Sequence, residues 1–251
     1  MKISIIIPCL NQIDKLVECL KLVSKQTFKS FEVIVVDGGS SNFNLKALTD
    51  KFTDIKFISE PDNGVYDAFN KGVSLAEGDW LYFMGVDDRF YNFNLLESIV
   101  PYLKENNKLL ILGQIIYEFK KDDSFLIKRN KGLVKPDWSK KIWLRNTLPH
   151  QGIFYNKNVF KKEQFDTRYG VLADYAFNLN LWKKQVPVLK IDKVIAFCGT
   201  QGLSKNYNYR LYKEEACLKT RASSVLFMPI FIMISAIKFG LKNYPFRCTT
   251  S

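Results

Sequence analysis

A single histidine, His150, stands in the whole 251-residue chain, and the five cysteines (Cys9, Cys19, Cys198, Cys217, Cys248) form no C-x-x-C pair. A Cys/His zinc site is therefore disfavoured, and an odd, scattered set of thiols fits a reducing cytoplasm better than a disulfide framework. Glycine-rich phosphate-binding fingerprints are missing as well. Neither G-x-G-x-x-G nor G-x-x-x-x-G-K-[ST] occurs, which argues against a dinucleotide dehydrogenase and a P-loop kinase. No internal repeat or low-complexity segment interrupts the chain. No leader peptide is expected, because Met1-Lys2 runs straight into the strand-like Ile3–Pro8. Long apolar runs are scarce: the longest uncharged stretch, residues 222–237, is 16 residues and contains Pro229, short of the roughly 20 that a membrane span needs.

What is present is a substantial core. Hydrophobic residues make up 47% and aromatics 14%, which excludes intrinsic disorder. The net charge of +12 is unevenly placed: residues 1–90 hold 10 Lys and Arg against 13 Asp and Glu, so the excess lies beyond them. A basic second half suits an anionic membrane, a nucleic acid or plain solvent. No nucleic-acid reading motif accompanies it, which leaves nucleic acid the weakest of these partners.

Periodicity predicts alternating strands and helices. Lys2–Pro8 is isoleucine-rich, as a parallel strand covered on both faces should be. Asn11 is read as the N-cap of the helix carrying Ile13, Leu16, Val17, Leu20 and Val23. A strand over Phe31–Val36, a helix over Leu45–Phe52, a strand over Ile55–Ser59, a helix over Val65–Ala76 and a strand over Asp79–Met84 follow. The alternation implies βαβ units and a mostly parallel sheet. Beyond it the patterns predict a helix over Asn94–Leu103, a strand over Leu109–Phe119 and an irregular basic stretch over 120–148. That stretch holds Lys120, Lys121, Lys128, Arg129, Lys131, Lys135, Lys140, Lys141 and Arg145. A helix over Leu172–Lys184, a strand over Val186–Phe197 turning at Ile191-Asp192, and a polar helix over Tyr207–Arg221 complete the reading.

The chemistry converges on Glu60–Phe90. Asp87 and Asp88 follow the strand at 79–84, and ligands of open α/β sheets bind outside the carboxyl ends of strands. Adjacent carboxylates there repel one another unless a cation lies between them. Pro8 to Asn11 and Asp37-Gly38 hold the corresponding places after the first two strands. Asp67, Asn70 and Lys71, spaced i, i+3 and i+4, share one helix face near the same crevice. An ordinary Asp-Asp turn and a solvated helix face are the plain alternatives.

Taken together, ISIIIPCLN, FEVIVVDGGSSN, EPDNGVYDAFNKGV, EGDWLYFMGVDD, PHQGIFY and ADYAFNL resemble the family 2 glycosyltransferases of the GT-A fold, over residues 1–205. The likeness is greatest to the bacterial branch building O-antigen and capsular polysaccharides. The resemblance implies a Rossmann-like, mostly parallel α/β sheet. It also implies an inverting hexosyl- or N-acetylhexosaminyl-transferase that uses a nucleotide-diphosphate sugar and Mn²⁺ or Mg²⁺. By the same resemblance Asp88, with Asp87, holds the metal, and Asp174 is the catalytic base. Pro8, Asn11, Asp37, Gly38, Asp67, Asn70, Lys71, Asp87 and His150 would line the nucleotide-sugar site. Many members carry a second aspartate where this chain has Gly38, so no nucleobase contact transfers to that position.

A catalytic unit over 1–220 and an apolar, basic segment over 221–251 are the expected divisions. Leu226, Phe227, Ile230, Phe231, Met233, Ile234 and Ile237 leave that segment without a polar face. Membrane-surface contact, burial in the protein or an oligomer, and a true span are its three readings. With a lipid-linked saccharide as acceptor, the chain would sit peripherally on the inner face of the cytoplasmic membrane. A sugar nucleotidyltransferase and a non-catalytic scaffold of the same fold are the rival readings.

Overall fold

A computed structural model describes residues 1–41, 45–52, 55–105, 107–118, 132–199 and 208–243. The chain builds β1 (Ile3–Cys9), α1 (Ile13–Ser24), β2 (Phe31–Asp37), α2 (Leu45–Lys51), β3 (Ile55–Ser59), α3 (Val65–Leu75), β4 (Trp80–Phe83) and β5 (Arg89–Phe90). It continues through α4 (Leu95–Leu103), β6 (Leu110–Tyr117), β7 (Leu133–Val134), β8 (Ile153–Asn156), α5 (Ala173–Lys183), β9 (Val188–Cys198), α6 (Tyr209–Ala222) and α7 (Met228–Asn243). The strands form one mixed sheet in the order β3-β2-β1-β4-β8-β6-β9-β5, with β7 paired to β6. Strands β3, β2, β1 and β4 are parallel, so their carboxyl ends open on the same edge. Strand β8 runs against both β4 and β6, which returns β6 and its parallel neighbour β9 to that direction.

Strand alternation explains the layering. Ile6, Ile34, Val36, Leu81 and Phe83 point into a core shared with Tyr66 and Phe69 of α3 and Tyr175, Phe177 and Leu179 of α5. Ile5, Ile7, Val33, Val35, Trp80 and Tyr82 point the other way, onto Leu16, Leu20 and Val23 of α1 and Leu95, Leu96 and Ile99 of α4. Both faces of the parallel half are thus covered, as its near-continuous apolar strands require. The closest approach is at Gly72, where a Cβ would collide with Ile6. The four described cysteines carry free thiols.

Two local expectations are corrected, and Pro229 of the apolar tail is placed. Asn11 is not an N-cap: Gln12 holds that position, and Asn11 adopts the left-handed region at φ 54°. Its side chain turns instead to the next loop, where Oδ1 accepts from the Ser41 amide at 3.2 Å. Asparagine tolerates that backbone better than most residues, which suits it to loop pinning. The turn expected at Ile191-Asp192 is an irregularity within the continuous strand β9, whose register against β6 slips around Gln114. An inserted residue keeps both strands paired while adding local twist. Pro229 does not break the apolar tail either; it lies at the start of α7, where a missing N–H costs nothing. Of the basic stretch, residues 119–131 lie outside the described residues, and the remainder contains β7 and a 3₁₀ turn at Lys140–Trp143.

One buried charge near the amino-terminal ends of β1 and β4 has a measurable signature. Glu32 Oε1 accepts from Ser4 Oγ at 2.6 Å and from the Glu77 amide at 2.7 Å. Its Oε2 pairs with Lys2 and Lys56, each at 3.0 Å. Burial alone would raise this carboxyl, but the bonds from Ser4, the Glu77 amide, Lys56 and Lys2 outweigh it and hold the pKa at about 2. A depressed folded-state pKa contributes stability that is complete above the unfolded value near 4.5 and is lost as pH falls toward 2. Glu32→Gln should therefore remove part of the acid-dependent loss of stability, on the order of 1–2 kcal/mol once solvent screening of the part-exposed Lys2 and Lys56 is counted. Urea unfolding at pH 6 and at pH 2.5 checks this, and an unchanged pH slope contradicts it.

Candidate active site

The loops after the parallel strands enclose a cleft of about 660 Å³. Pro8, Cys9 and Leu10 at the end of β1 form one wall, and Asp62, Gly64, Val65, Tyr66 and Phe69 from the β3–α3 turn and α3 another. Gly85 to Asp88 after β4, Tyr117 at the end of β6 and Gly199 after β9 form a third wall, which carries the carboxylates of Asp87 and Asp88. His150, Gln151 and Asp174 complete the lining from the opposite half of the chain.

The acidic pair is built by backbone. Asp88 is 5% exposed, and its Oδ2 accepts from the Gly85 amide at 2.9 Å while Oδ1 accepts from the Gly199 amide at 3.2 Å. Burial, more than the two amides and the His150 charge can offset, pushes its pKa up to about 6, with the Asp87 charge adding to the rise. Asp87 is exposed. A Cβ on Gly85 would lie 3.0 Å from Asp88 Oδ2 and 3.3 Å from Asp87 Oδ1, so both carboxylates crowd the space over that glycine. A Cβ on Gly199 would collide with Asp87. Two hard oxygen ligands converging in a glycine-lined cradle, one with its charged form penalised by burial, fit a magnesium- or manganese-type cation. Among the described residues no group of three or more His, Cys, Asp or Glu gathers to hold a metal. The remaining ligands would have to come from substrate or water, as is usual for Mg²⁺.

The second cluster lies at the start of α5. Asp174 occupies the first turn and is 6% exposed. Its Oδ1 accepts from the Tyr66 hydroxyl at 3.0 Å and from the Tyr175 amide at 2.7 Å. Its Oδ2 lies 3.0 Å from His150 Nδ1. The edge of Phe69 packs on the imidazole at 5.6 Å between centroids. Burial, and then the charge of Asp174, push the Tyr66 phenol well above its usual value, so it remains a donor. A buried carboxylate bonded to an imidazole, beside a cleft, is an arrangement that can accept a proton.

The other residues singled out in the sequence fall into place unequally. Pro8, Asp87, Asp88, His150 and Asp174 border the cleft. Asp37 is fully buried and spends its carboxylate on its own loop, accepting from the Gly39 amide at 3.1 Å, the Ser40 amide at 2.9 Å and Ser59 Oγ at 2.7 Å, with Ser40 Oγ as a further donor. Gly38 leaves room for Asp62, whose carboxylate a Cβ at 38 would strike. On α3, Asn70 is tied to the Phe165 backbone through both amide atoms, at 2.8 and 3.0 Å. Lys71 pairs with Glu60 at 2.9 Å, and Asp67 Oδ2 accepts from the Asn63 amide at 3.0 Å. Lys71 and Asp67 thus brace the turn at 60–64 and Asn70 fastens α3 to the Phe165 segment; none of the three lines the cleft. Sequence reasoning passed over Asp62, Tyr66 and Gly199. Each had a signal: Asp62 and Tyr66 flank the glycine that opens α3, and Gly199 follows a strand as Gly38 and Gly85 do.

Comparison with known proteins gives the family and the fold. The family model described as glycosyl transferase family 2 matches residues 4–176. A PGL/p-HBAD biosynthesis glycosyltransferase of Mycobacterium bovis (strain BCG / Pasteur 1173P2) is 34% identical over 237 residues, covering 87% of this chain and 85% of that protein. Among solved structures, S. aureus TarS in complex with UDP-GlcNAc superposes with a TM-score of 0.67 at 18% identity, over 97% of this chain and 73% of that one. The mannosyltransferase PcManGT from Pyrobaculum calidifontis, in complex with GDP-Man and Mn²⁺, gives 0.62 at 16% identity, over 94% and 73%. At those identities the structures speak for the fold, which is GT-A. With the family model spanning more than half of the chain, the protein belongs to glycosyl transferase family 2.

Proposed function

We propose that the chain is an inverting, metal-dependent transferase that moves a hexosyl or N-acetylhexosaminyl unit from a nucleoside-diphosphate sugar to a lipid-linked saccharide, in the assembly of a bacterial surface polysaccharide. The observation that carries the reading is one cleft holding both the Asp87–Asp88 pair and the Asp174–His150 pair. The first pair suits a diphosphate leaving group with its cation; the second suits a hydroxyl that must lose a proton. One base and one leaving-group site support a single displacement, and a single displacement inverts the anomeric carbon.

Asp88 and Asp87 would hold Mn²⁺ or Mg²⁺, which neutralises charge developing on the diphosphate. Pro8 borders the nucleotide end, and Asn11, Asp37 and Gly38 shape the loops behind it. Asp67 and Lys71 support the turn that carries Asp62 and Gly64, and Asn70 ties α3 to the Phe165 segment. Asp174, with His150 bonded to it, supplies the basic side. A panel of nucleotide sugars tested for Mn²⁺-dependent transfer or hydrolysis decides the matter. Turnover of at least one donor, abolished by a chelator, is the expected result; metal-independent turnover would remove the cation from the reading, and no binding of any donor would remove the reading itself.

Residues 221–251 would be the membrane-contacting segment. No helix among the described residues is long and apolar enough to cross a membrane. Leu226 is 86% exposed, and Met228, Ile230, Ile232, Met233, Ile237 and Leu241 of α7 are exposed too. The helix is fastened to the protein from its other side, where Lys238 pairs with Glu215 and Phe231 stacks on Trp143. An apolar face outward and a basic chain behind it match an interfacial helix on anionic lipid. Replacing Ile232, Met233 and Ile237 together by glutamine should weaken co-sedimentation with phosphatidylglycerol vesicles on the order of 100-fold without unfolding the protein. Equal sedimentation of both proteins contradicts the membrane role.

A further inference from the structure

The geometry points to Lys15 as the side chain that meets the donor's diphosphate with a positive charge of the protein's own. The assignment rests on the glycosyltransferase reading above and deepens it. The cleft itself is short of positive charge. Asp62, Asp87, Asp88 and Asp174 line it, and Lys15 is the only lysine or arginine among the described residues that do. The chain's surplus of basic residues lies beyond residue 90, away from the first turn of α1.

Lys15 reaches the cleft from the opening of its helix. β1 ends at Cys9 and α1 begins at Ile13, so the amino end of α1 stands at the carboxyl edge of the parallel strands. Helical side chains lean toward the amino end of their helix, which aims the lysine stem at that edge. Cys19, four residues on, shares the face of Lys15 and shows what that face meets. Its Sγ lies 3.7 Å from Met84 Sδ, 3.9 Å from the Asp88 carbonyl oxygen and 4.0 Å from that of Gly85. One turn nearer the cleft, Lys15 therefore stands beside the loop that carries Asp87 and Asp88. Leu16, Leu20 and Val23 are buried against the sheet and fix the helix in this rotation.

The protein makes no other use of the ammonium. Lys15 is exposed and forms no ion pair among the described residues. Glu18, three residues away on the same helix, pairs with Lys21 at 3.3 Å instead. A lysine is a point charge with three donors on a flexible stem, suited to a phosphate whose exact position shifts. A divalent cation on Asp87 and Asp88 covers only some of the anionic oxygens of a diphosphate, and that group gains negative charge as the sugar departs. Lys15 supplies the remaining positive charge at that end of the cleft. The competing role is that of a lysine that merely keeps the surface of α1 hydrated.

The test is calorimetry on the full chain with Mn²⁺ and whichever of UDP, GDP, dTDP or ADP the wild type binds. Lys15→Met, which keeps an unbranched stem and removes the charge, should weaken that binding about tenfold or more. Lys15→Arg, which keeps the charge, should stay within about threefold of wild type. The matching nucleoside, measured by competition, should bind Lys15→Met within about twofold of wild type, because it carries no phosphate. Nucleoside diphosphate affinity unchanged in Lys15→Met leaves a merely solvated lysine and overturns the assignment. So does a loss in folded Lys15→Arg as large as that in Lys15→Met, which would make the role one of shape, and so does an equal loss for the nucleoside. A wild-type chain that binds none of the four nucleotides overturns the glycosyltransferase reading, and the Lys15 assignment with it.

Discussion

Asp88→Ala should abolish sugar transfer while leaving the protein folded, with kcat/KM lower by about 10³ or more. The size follows from what the side chain does. A nucleoside diphosphate departs only if its growing negative charge is met, and on the proposed reading Asp88 and Asp87, which line the cleft, would hold the cation that meets it. The retained fold follows from the same burial that pushes this carboxyl up to about 6. At neutral pH its charged form is disfavoured by its surroundings, so its removal relieves a cost that offsets the two lost amide bonds. Thermal unfolding should shift by no more than a few degrees, and Mn²⁺-dependent affinity for UDP or GDP, measured by calorimetry, should disappear. A variant that keeps tenfold-reduced or better transfer would show that the cation is held elsewhere.

Asp174→Asn should lower kcat by about 10² to 10⁴ with little change in donor affinity. The substitution is nearly isosteric, so Tyr66 and the Tyr175 amide can still donate to the remaining oxygen. What changes is the side facing His150, where an amide NH₂ now meets Nδ1. The amide cannot take a proton from an acceptor hydroxyl, which removes the basic group from the cleft. Stopped-time assays of transfer, alongside circular dichroism to confirm the fold, measure it. Near-normal kcat in a folded Asp174→Asn protein would take the carboxylate out of the reaction.

How far the sequence foretold this molecule depends on what kind of contact was at stake. Strands and helices were legible because burial on two faces or one imposes a period. Ile3 to Cys9 and Ile55 to Ser59 came close to their observed limits for that reason. The acidic pair and Asp174 were legible as types at strand and helix ends. What could not be read was which loop group each side chain would serve. Asp37 looks like a ligand-facing carboxylate in sequence, yet two successive loop residues, Gly39 and Ser40, together with Ser59 consume it. Asn11 looks like a cap but pins the neighbouring loop. Tyr66 drew no attention because its apolar ring and position mark it as core; only the fold brings its hydroxyl to Asp174, 108 residues away. The slip in β9 escaped notice because an isoleucine-aspartate step reads alike as a turn and as a bulge.

The bond from the Gly199 amide to Asp88 spans 111 residues and has a consequence for recombination. On the proposed reading the first half of the chain would hold the donor and the second the acceptor, and exchange of the second half between relatives looks like a route to new acceptors. The crossover is not clean. Whatever segment replaces β9 and its following glycine also rebuilds the floor under Asp87 and one of the two amides on Asp88. A chimera joined before residue 188 should therefore inherit the acceptor preference of one parent together with an altered metal requirement, unless its donor strand ends in a glycine at the same register. An exchange that keeps Gly199 with the first half would leave this bond to Asp88 intact.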